Sequence, residues 1–555
     1  MKKIFKKFLY KTKLYSPLLA LIVALRDIFN FKKKSQSYKK LKNIFKTGFR
    51  SPASFLSQPL DKVMLLTSFG HHDYAGVEAV VIKAFEKSGF KPVVLMPRDY
   101  YLKKIYQHFG VSDFIFWDSF YEEVSDQKID SYLSPSFQLK DYLNLQINQI
   151  GFGKYAISSL MRQTRQGSFD FKNPKILKKL KNALRASLEY AHASKRIVDY
   201  LHPHALVCLD RGYTPNGQLF DACLNAKALA VTCNTAHKNN ALLFKRYNIE
   251  NRKMHPVSLS QASWDCLKKG AWTQKHWEKL NEELYSCYVS GAWYSEVGTQ
   301  FHKKILDTET LSKKLELNPN KKTAVVFPHM FWDATFFFGA DLFESYEEWF
   351  IETLKAASRN TNLNWIIKIH PANTIKDARD GITQKHSEIL AIEQTLGNLP
   401  DHIKLIAPES EINTYSLYSL MDYGLTVRGT IGMEASCFGA PVLTAGTGRY
   451  DGFGFTIDPK SKEEYLSKLA RLHEIPPLSK EQTELARRYA YGVFLCRPMP
   501  LKSANIYYEQ DQKATLFAEI NAHSSKELWL APDVNEISSW LQSHTEDYLN
   551  QNAIF

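Results

Sequence analysis

The sequence predicts an α/β protein built from two domains, each with a parallel β-sheet. Short apolar runs typical of buried strands alternate with helical stretches in two separate parts of the 555-residue chain. Residues 62–69 and 205–210 are such runs in the first part, and residues 323–328 and 423–427 are such runs in the second. This alternation is typical of parallel sheets, which bind ligands at the carboxyl ends of their strands. A chain of this length also exceeds what one hydrophobic core usually holds.

These patterns divide the chain into four predicted regions. Residues 311–322 are polar and contain Asn-Pro-Asn, so we expect them to link the two domains. The regions are a basic amphipathic, helical arm (1–55), a first Rossmann-like domain (56–315), a second Rossmann-like domain (316–475) and a helical tail (476–555).

The first 50 residues hold most of the net charge. They contain fifteen Lys or Arg and one acidic residue, so they carry +14 of the total +15, and the other 505 residues carry +1. A basic arm on a nearly neutral body argues against nucleic acid as a partner and favours an anionic membrane surface. Its apolar run, residues 18–25, is shorter than the roughly 20 residues needed to span a bilayer, and no signal-peptide cleavage site follows.

We therefore expect a cytoplasmic protein that is peripheral on the inner face of the plasma membrane. Two alternatives to membrane binding remain open for the arm. In the first it is a solvated basic extension, and in the second it is a helix packed on the body with its lysines outside.

The seven cysteines are scattered and show no C-x-x-C spacing. This usage is typical of a reducing compartment, where thiols pack as small apolar side chains. No metal site is predicted from them, and no Asp-x-Asp element is placed to bind a metal. We expect neither a metal nor another cofactor.

Polar side chains follow two predicted strands of the first domain. His72 and Asp73 come after the strand at 62–69, and Asp210 ends the run at 205–210. An imidazole or a carboxylate at this edge of a sheet can take a proton from a hydroxyl group. Asp73, His72 and Asp210 are therefore candidate catalytic bases. Each is also explained as a solvent-facing or capping residue.

A glycine-rich stretch at 423–450 is predicted to form a strand, a tight turn, a helix, a second strand and a second turn. The first turn is Arg428-Gly429-Thr430, and the N–H groups and dipole of the helix that follows favour an anion. His370 ends another strand, which stops at Pro371 because proline cannot continue the hydrogen-bonded ladder. We expect His370 and the turn to form one anion site.

Together these motifs carry a resemblance to a known family. Ile369-His-Pro, then Gly429-Thr-Ile-Gly-Met-Glu-Ala, and finally Gly446-x-Gly-x-Tyr resemble bacterial capsule polysaccharide biosynthesis glycosyltransferases of the Kdo-transferase-like type. Bacterial sialyltransferases are more distantly similar. The resemblance covers residues 320–460. It implies the GT-B fold, in which an acceptor domain and a nucleotide-sugar donor domain face each other across a cleft.

The resemblance also implies roles for individual residues. His370 and the Gly429-Thr430 turn would contact the donor phosphate, and Glu434 the ribose hydroxyls. Relatives typically have two hydroxyl residues at the turn, whereas here Arg428 and Gly429 precede a single Thr430; Arg428 could supply charge to a phosphate. This departure leaves the donor nucleotide open. The predicted donor-binding residues are Arg428, Gly429, Thr430, Gly432, Glu434, Gly446 and Tyr450.

The function expected from this resemblance is transfer of a sugar from a nucleotide-activated donor, CMP-Kdo-like or another, to a capsule or surface polysaccharide. Negative charge grows on the leaving phosphate, which is why hydrogen-bond donors and His or Arg recur at such sites. A glycan or glycolipid acceptor and capsule-assembly proteins are the expected partners. The alternatives are a nucleotide-sugar 2-epimerase, a glycerol-phosphate transferase of the same fold, and a non-catalytic capsule-assembly adaptor.

Overall fold

The computed structural model of the protein describes residues 60–72, 74–134, 136–333 and 336–554. The predicted arm, residues 1–55, and the candidate base Asp73 lie outside the described residues. No helix within these ranges is long and apolar enough to cross a membrane.

The strands of the described residues belong to two large sheets and two hairpins. They are β1 (Lys62–Thr67), β2 (Phe90–Met96), β3 (Asp113–Phe116), β4 (Gln146–Ile147), β5 (Ile150–Gly151), β6 (Ala205–Cys208), β7 (Leu229–Thr235), β8 (Ala241–Tyr247), β9 (Thr323–Val326), β10 (Asn364–Lys368), β11 (Ile403–Ile406), β12 (Tyr423–Thr426), β13 (Val442–Thr444), β14 (Met499–Pro500), β15 (Ala504–Tyr508) and β16 (Leu516–Ile520).

The helices lie between these strands. They are α1 (Ala75–Lys87), α2 (Tyr100–His108), α3 (Asp126–Asp130), α4 (Leu139–Leu143), α5 (Gly153–Thr164), α6 (Pro174–Leu201), α7 (Asn216–Asn225), α8 (Gln261–Lys269), α9 (Gln274–Ser290), α10 (Thr308–Lys314), α11 (Tyr346–Arg359), α12 (Ala372–Asp380), α13 (Ser387–Leu396), α14 (Ile431–Cys437), α15 (Lys462–Ala470), α16 (Lys480–Tyr491), α17 (Ser525–Leu530) and α18 (Pro532–Ser543).

Side-chain caps explain where several helices begin. The Asn173 side chain accepts a hydrogen bond from the Lys175 N–H, and Pro174 follows at the first helical position, where its missing N–H costs nothing. The Ser479 side chain accepts from the Gln482 N–H, whose own side chain bonds back to the Ser479 N–H. Local sequence therefore fixes the start of α6 and α16.

The first sheet has the order β14-β8-β7-β6-β1-β2-β3. The strands from β7 to β3 are parallel to their neighbours, while β8 and β14 are antiparallel additions at one edge. Both faces are covered: Met64 and Leu66 pack into one hydrophobic core and Leu65 into another. Burial on two faces accounts for the continuous apolar runs of the sequence.

The second sheet is parallel throughout, in the order β11-β10-β9-β12-β13. Its two faces also bury separate cores, with Ile366 on one side and Ile367 on the other. The predicted α/β class with two parallel-sheet, Rossmann-like domains is therefore confirmed. The carboxyl ends of β10, β9 and β12 are neighbours, so the loops that follow these strands meet at one edge.

Helices α8 and α9 lie before residue 315 in the chain but belong to the core of the second sheet. Leu280 and Leu284 of α9 are buried in the same cluster as Ile366 and Leu417. The boundary predicted at residue 315 therefore cuts through this core. Sequence patterns give the apolar face of such a helix, but not which of two sheets covers it.

The tail is not simply helical, so that part of the prediction is wrong. After α16 the chain returns to the first sheet, where Met499 of β14 pairs with Leu242 of β8. A β-hairpin of β15 and β16 follows, and its short strands bury few residues, which leaves little periodic signal. The last helix is α18, and its Ser538 hydroxyl lies 2.9 Å from the hydroxyl of Ser88, the residue that caps the end of α1.

Buried charges fix the end of this tail. Asp547 Oδ1 lies 2.8 Å from Lys245 Nζ and 3.7 Å from Arg497 Nη2, and the Ser260 N–H donates to Asp547 Oδ2 at 2.6 Å. Burial alone would raise the pKa of Asp547, but Lys245 and Arg497 outweigh it and hold the pKa well below its usual range. The carboxylate is thus the shared counter-ion of two buried cations.

Asp547→Asn should lower the free energy of unfolding by about 3–5 kcal/mol, because Lys245 and Arg497 then remain buried without a full counter-charge. Denaturant unfolding at pH 7 measures this change. Glu309→Gln is the control, since it removes only the exposed pair with Lys313 and should change little. Equal stabilities of the two variants would contradict the assignment.

Candidate active site

His370 lies at the carboxyl end of β10 and is half-buried. Its Nδ1 accepts a hydrogen bond from the Ala372 N–H at 3.2 Å. Burial, together with the charges of Lys376 and Lys368, lowers the pKa of His370 to about 4. The ring is therefore neutral near pH 7, and with Nδ1 as acceptor its proton is on Nε2. That N–H is the group that His370 can donate to an oxyanion.

The turn between β12 and α14 lies at the same edge of the second sheet as His370, with β9 between their two strands. The Gly429 N–H donates to Thr426 Oγ1 at 3.1 Å, and a Cβ on Gly429 would lie 2.9 Å from the same oxygen, so this position requires glycine. Thr430 is the N-cap of α14. The sheet order brings the turn and His370 to one edge, as the sequence predicts.

His329 supports this turn through a hydrogen bond. It was not among the residues predicted from the sequence. It follows β9, which lies between β10 and β12, and its Nε2 accepts from the Arg428 N–H at 3.3 Å. The ring stacks on Tyr346 at 4.3 Å. Burial, with the nearby charges of Arg428 and His370, lowers the pKa of His329 to about 3. Its place just after a buried strand, like that of His370, was the available signal.

The guanidinium of Arg428 is held by other residues of the second domain. Its guanidinium pairs with Asp341, Nη1 donates to the Tyr346 hydroxyl at 3.2 Å, and Nε donates to the Thr447 carbonyl at 3.0 Å. It thereby connects the first turn to the second one, at Gly446. A Cβ on Gly446 would come within 2.5 Å of Arg428 Nη2. This geometry does not support the predicted phosphate contact by Arg428.

Tyr450 and Gly432 also support the first turn. The Tyr450 hydroxyl donates to the Gly429 carbonyl at 2.7 Å. A Cβ on Gly432 would lie 2.1 Å from that hydroxyl oxygen, so the glycine makes room for the ring. Both residues shape the turn from inside the fold.

Glu434 belongs to α14, and its side chain is buried. Its carboxylate accepts hydrogen bonds from the Tyr288 and Tyr418 hydroxyls, which lie 2.8 Å from each other. Burial raises the pKa of Glu434, and these hydroxyls oppose the rise. The carboxylate thus has internal partners, and the predicted contact with ribose would require it to leave them.

Asp210 reaches the cleft from the first domain. Its Oδ1 accepts from the Gly212 N–H at 2.7 Å. Burial raises the pKa of Asp210; Arg162 opposes the rise, and Asp333 of the second domain adds to it. The Tyr213 hydroxyl, also from the first domain, donates to Asp333 Oδ1 at 2.8 Å.

Asp333 connects this side of the cleft to His370. Lys376 Nζ lies 3.9 Å from Asp333 Oδ2, and the charges of Lys376 and Asp333 both act on His370. Asp210 and His370 therefore belong to opposite domains that Tyr213, Asp333 and Lys376 connect.

His72 lies at the same edge of the first sheet, on the loop after β1. Its Nε2 is 3.3 Å from Asp99 Oδ2, on the loop after β2. Near Asp210, the Tyr213 hydroxyl bonds to Asp333 of the second domain. His72, in contrast, pairs with Asp99 of its own domain.

Within the described ranges, His237, Glu283 and Cys287 form a group that could hold a metal ion. Glu283 Oε1, however, already lies 2.9 Å from His237 Nε2 and 2.7 Å from Lys238 Nζ. Burial raises the pKa of Cys287 to about 12. The carboxylate of Glu283 thus already has two partners in this cluster, His237 and Lys238.

Glu78 anchors the loop that carries His72. Its Oε1 accepts from the Phe69 N–H at 2.9 Å, and its Oε2 accepts from the Tyr106 hydroxyl. Burial raises the pKa of Glu78 to about 7. The folded state therefore binds a proton here more tightly than the unfolded chain does.

Glu78→Gln should flatten the dependence of stability on pH. The contribution of Glu78 is fully present below about pH 4.5 and is lost as pH rises through about 7, so wild type should lose about 2–3 kcal/mol between pH 5 and pH 8 relative to the variant. Glutamine imitates the protonated acid and has no such titration. Denaturant unfolding at both pH values measures the difference, and parallel curves would refute this assignment.

Residues 253–475 match a protein family described as "Capsule polysaccharide biosynthesis protein". The resemblance predicted from the motifs is therefore confirmed over these residues, which include the second sheet, His370 and the turn. The match also begins before residue 315, in agreement with the packing of α8 and α9. No curated protein sequence matches the chain significantly.

Solved structures that match the chain include three bacterial proteins. KpsC of Thermosulfurimonas dismutans, a beta Kdo 2,4 transferase, is 13% identical over 59% of this chain and 87% of its own, with a TM-score of 0.32. A UDP-GlcNAc 2-epimerase of Neisseria meningitidis, bound to UDP-GlcNAc, is 12% identical over 78% and 96%, with a TM-score of 0.27. HepE of Anabaena, in complex with UDP and glucose, is 10% identical over 77% and 93%, with a TM-score of 0.25. Matches of this extent carry no argument about activity.

Proposed function

We propose that this chain is a glycosyltransferase that moves a sugar from a nucleotide-activated donor to a capsule or surface polysaccharide. The observation that supports it most is that His370 and the Arg428–Thr430 turn follow strands of the same sheet at one edge, while Tyr213, close to Asp210 in the first domain, contacts Asp333 of the second. The matched family of capsule polysaccharide proteins favours a glycan or glycolipid acceptor.

The proposed reaction is a direct displacement at the anomeric carbon of the donor sugar. The acceptor hydroxyl oxygen bonds to that carbon, the sugar–phosphate bond breaks, and its electron pair leaves with the nucleotide phosphate. The Nε2–H of His370 and the N–H groups of Thr430 and Ile431 stabilise the charge that grows on the phosphate. Loss of one such donor costs roughly 2.7–4 kcal/mol at comparable sites.

Asp210 is the proposed general base, ahead of His72 and Asp73. Its raised pKa, caused first by burial, makes the carboxylate a stronger proton acceptor than an exposed aspartate. The proton of the acceptor hydroxyl passes to Asp210 as the new glycosidic bond forms. Arg162 and Tyr213 lie beside it and keep the site polar.

The full chain, purified and incubated with CMP-Kdo, CMP-sialic acid and UDP-sugars in turn, tests this proposal. Release of free nucleotide that requires a glycan acceptor supports transfer. Conversion of UDP-GlcNAc to its 2-epimer without an acceptor would replace transfer by epimerisation. No reaction with any donor would leave the adaptor hypothesis in its place.

His370→Asn should lower turnover by more than about tenfold without unfolding the protein, because the Nε2–H at the leaving phosphate is lost. Since the pKa of His370 is about 4, wild-type turnover should show no titration of this ring between pH 6 and pH 9. Turnover and circular dichroism measure the two effects. His523→Ala, an exposed histidine of the tail, is the control, and unchanged turnover in His370→Asn would remove His370 from the site.

We also propose that residues 1–50 hold the protein to the inner face of the plasma membrane, where capsule-assembly proteins are expected partners. Deleting these residues removes +14 of net charge and should move the protein into the soluble fraction, because each cation near an anionic surface contributes about 1 kcal/mol. Co-sedimentation with anionic vesicles measures binding, with zwitterionic vesicles as the control. A truncated chain that still sediments with anionic vesicles would exclude the arm as the anchor.

A further inference from the structure

Arg428 lies in the first turn and Arg449 in the second, and the two side chains have different partners. Arg428 pairs with Asp341, as described above. Arg449 is only 7% exposed, yet the described part of the chain offers it no ion pair. Its Nη1 donates to the Arg428 carbonyl at 3.2 Å, and its buried Nε has no hydrogen-bond partner among the described residues. Arg449 is therefore a buried cation with no ion pair among the described residues, a costly arrangement unless a ligand supplies one.

The hydrogen bond from Arg449 Nη1 to the Arg428 carbonyl places its guanidinium beside the first turn. Burial and then the charge of Arg449 lower the pKa of His255, which precedes α8. Burial raises the pKa values of Tyr294 and Glu434, and Arg449 opposes both rises. These groups come from three separate segments that meet beside the first turn. The Tyr489 hydroxyl bonds to the Arg449 carbonyl and fixes its backbone.

Among the described residues, neither Glu434 nor Asp451 forms an ion pair with the guanidinium of Arg449. The carboxylate of Glu434 is held by Tyr288 and Tyr418. Asp451 accepts the Arg449 backbone N–H at 3.2 Å and the Gly448 N–H, so it caps the second turn. Both acids thus have other partners.

We propose that Arg449 binds an oxyanion of the donor, either a phosphate of the nucleotide or the carboxylate of an acidic sugar. The inference rests on the proposed function, because it assumes that the donor lies in the second domain. A planar guanidinium matches the two oxygens of such a group, and the buried setting removes competition from water. The charge that the sequence assigns to Arg428 is supplied instead by Arg449.

Calorimetric binding to the full chain tests this, with orthophosphate, CMP, cytidine and free Kdo as probes. Arg449→Gln should weaken binding of at least one anionic probe by at least about tenfold and leave cytidine unchanged. Arg449→Lys keeps the charge but not the two-pronged geometry, so its loss should be smaller. Arg487→Gln is the matched control. Arg487 belongs to α16, and its guanidinium carbon lies 3.9 Å from the centre of the Trp277 ring. Circular dichroism checks folding, and Arg449→Lys decides the matter if Arg449→Gln does not fold.

The probes separate the two sources of the oxyanion. Weaker binding of CMP and orthophosphate alone identifies the phosphate, and weaker binding of Kdo alone identifies the carboxylate. Wild-type affinities in both Arg449 variants, equal losses in Arg487→Gln, or a wild type that binds no anionic probe would each overturn the inference.

The outcome is independent of the test of transfer. If wild type releases no nucleotide from any donor but its anion binding depends on Arg449, the transferase proposal fails and the oxyanion site stands. If transfer proceeds and Arg449→Gln binds every probe like wild type, the transferase stands and the oxyanion site fails.

Discussion

The contact between the Tyr450 hydroxyl and the Gly429 carbonyl, 2.7 Å long, holds the turn on which the rest of the site depends. It exists only because Gly432 leaves room for the ring. His329 supports the neighbouring N–H from a second strand, and Arg428 ties the turn to the next glycine loop. The backbone of this turn, including the N–H groups of Thr430 and Ile431, is thus oriented before any ligand arrives, and a preorganised site spends no free energy on reorganisation when charge develops.

Burial determines the charge state of this site more than any single ion pair. Both His329 and His370 have pKa values well below neutrality, first because of burial and then because cations surround them. They act as neutral hydrogen-bond donors and acceptors, so positive charge must come from groups that cannot lose it. Arginine keeps its proton in such an environment. Arg428 is already paired with Asp341, so Arg449, which has no ion pair among the described residues, is the arginine whose charge is left for a ligand.

Strand and helix alternation was enough to predict two parallel sheets but not the antiparallel β8 and β14 at the edge of the first. The proline after His370 was enough to locate the end of β10. The sequence could not distinguish Arg428 from Arg449, because both flank glycines and only side-chain packing shows which one already has a carboxylate. His329 escaped prediction because its strand is followed by an irregular loop with no recognisable motif. Helix α9 was assigned to the first domain, since an apolar helix face does not reveal which sheet will cover it.

Chemistry at this site depends on how the two domains are held together. The proposed base, Asp210, and the proposed donor contact, His370, belong to different sheets, so no single domain positions both. The structure shows what connects them: Arg165 Nε lies 3.1 Å from Asp377 Oδ1 on the helix that follows His370, and Tyr213 of the first domain donates to Asp333 of the second. Because these ion pairs and hydrogen bonds border the cleft, the distance between base and leaving group is set by domain closure rather than by either sheet alone.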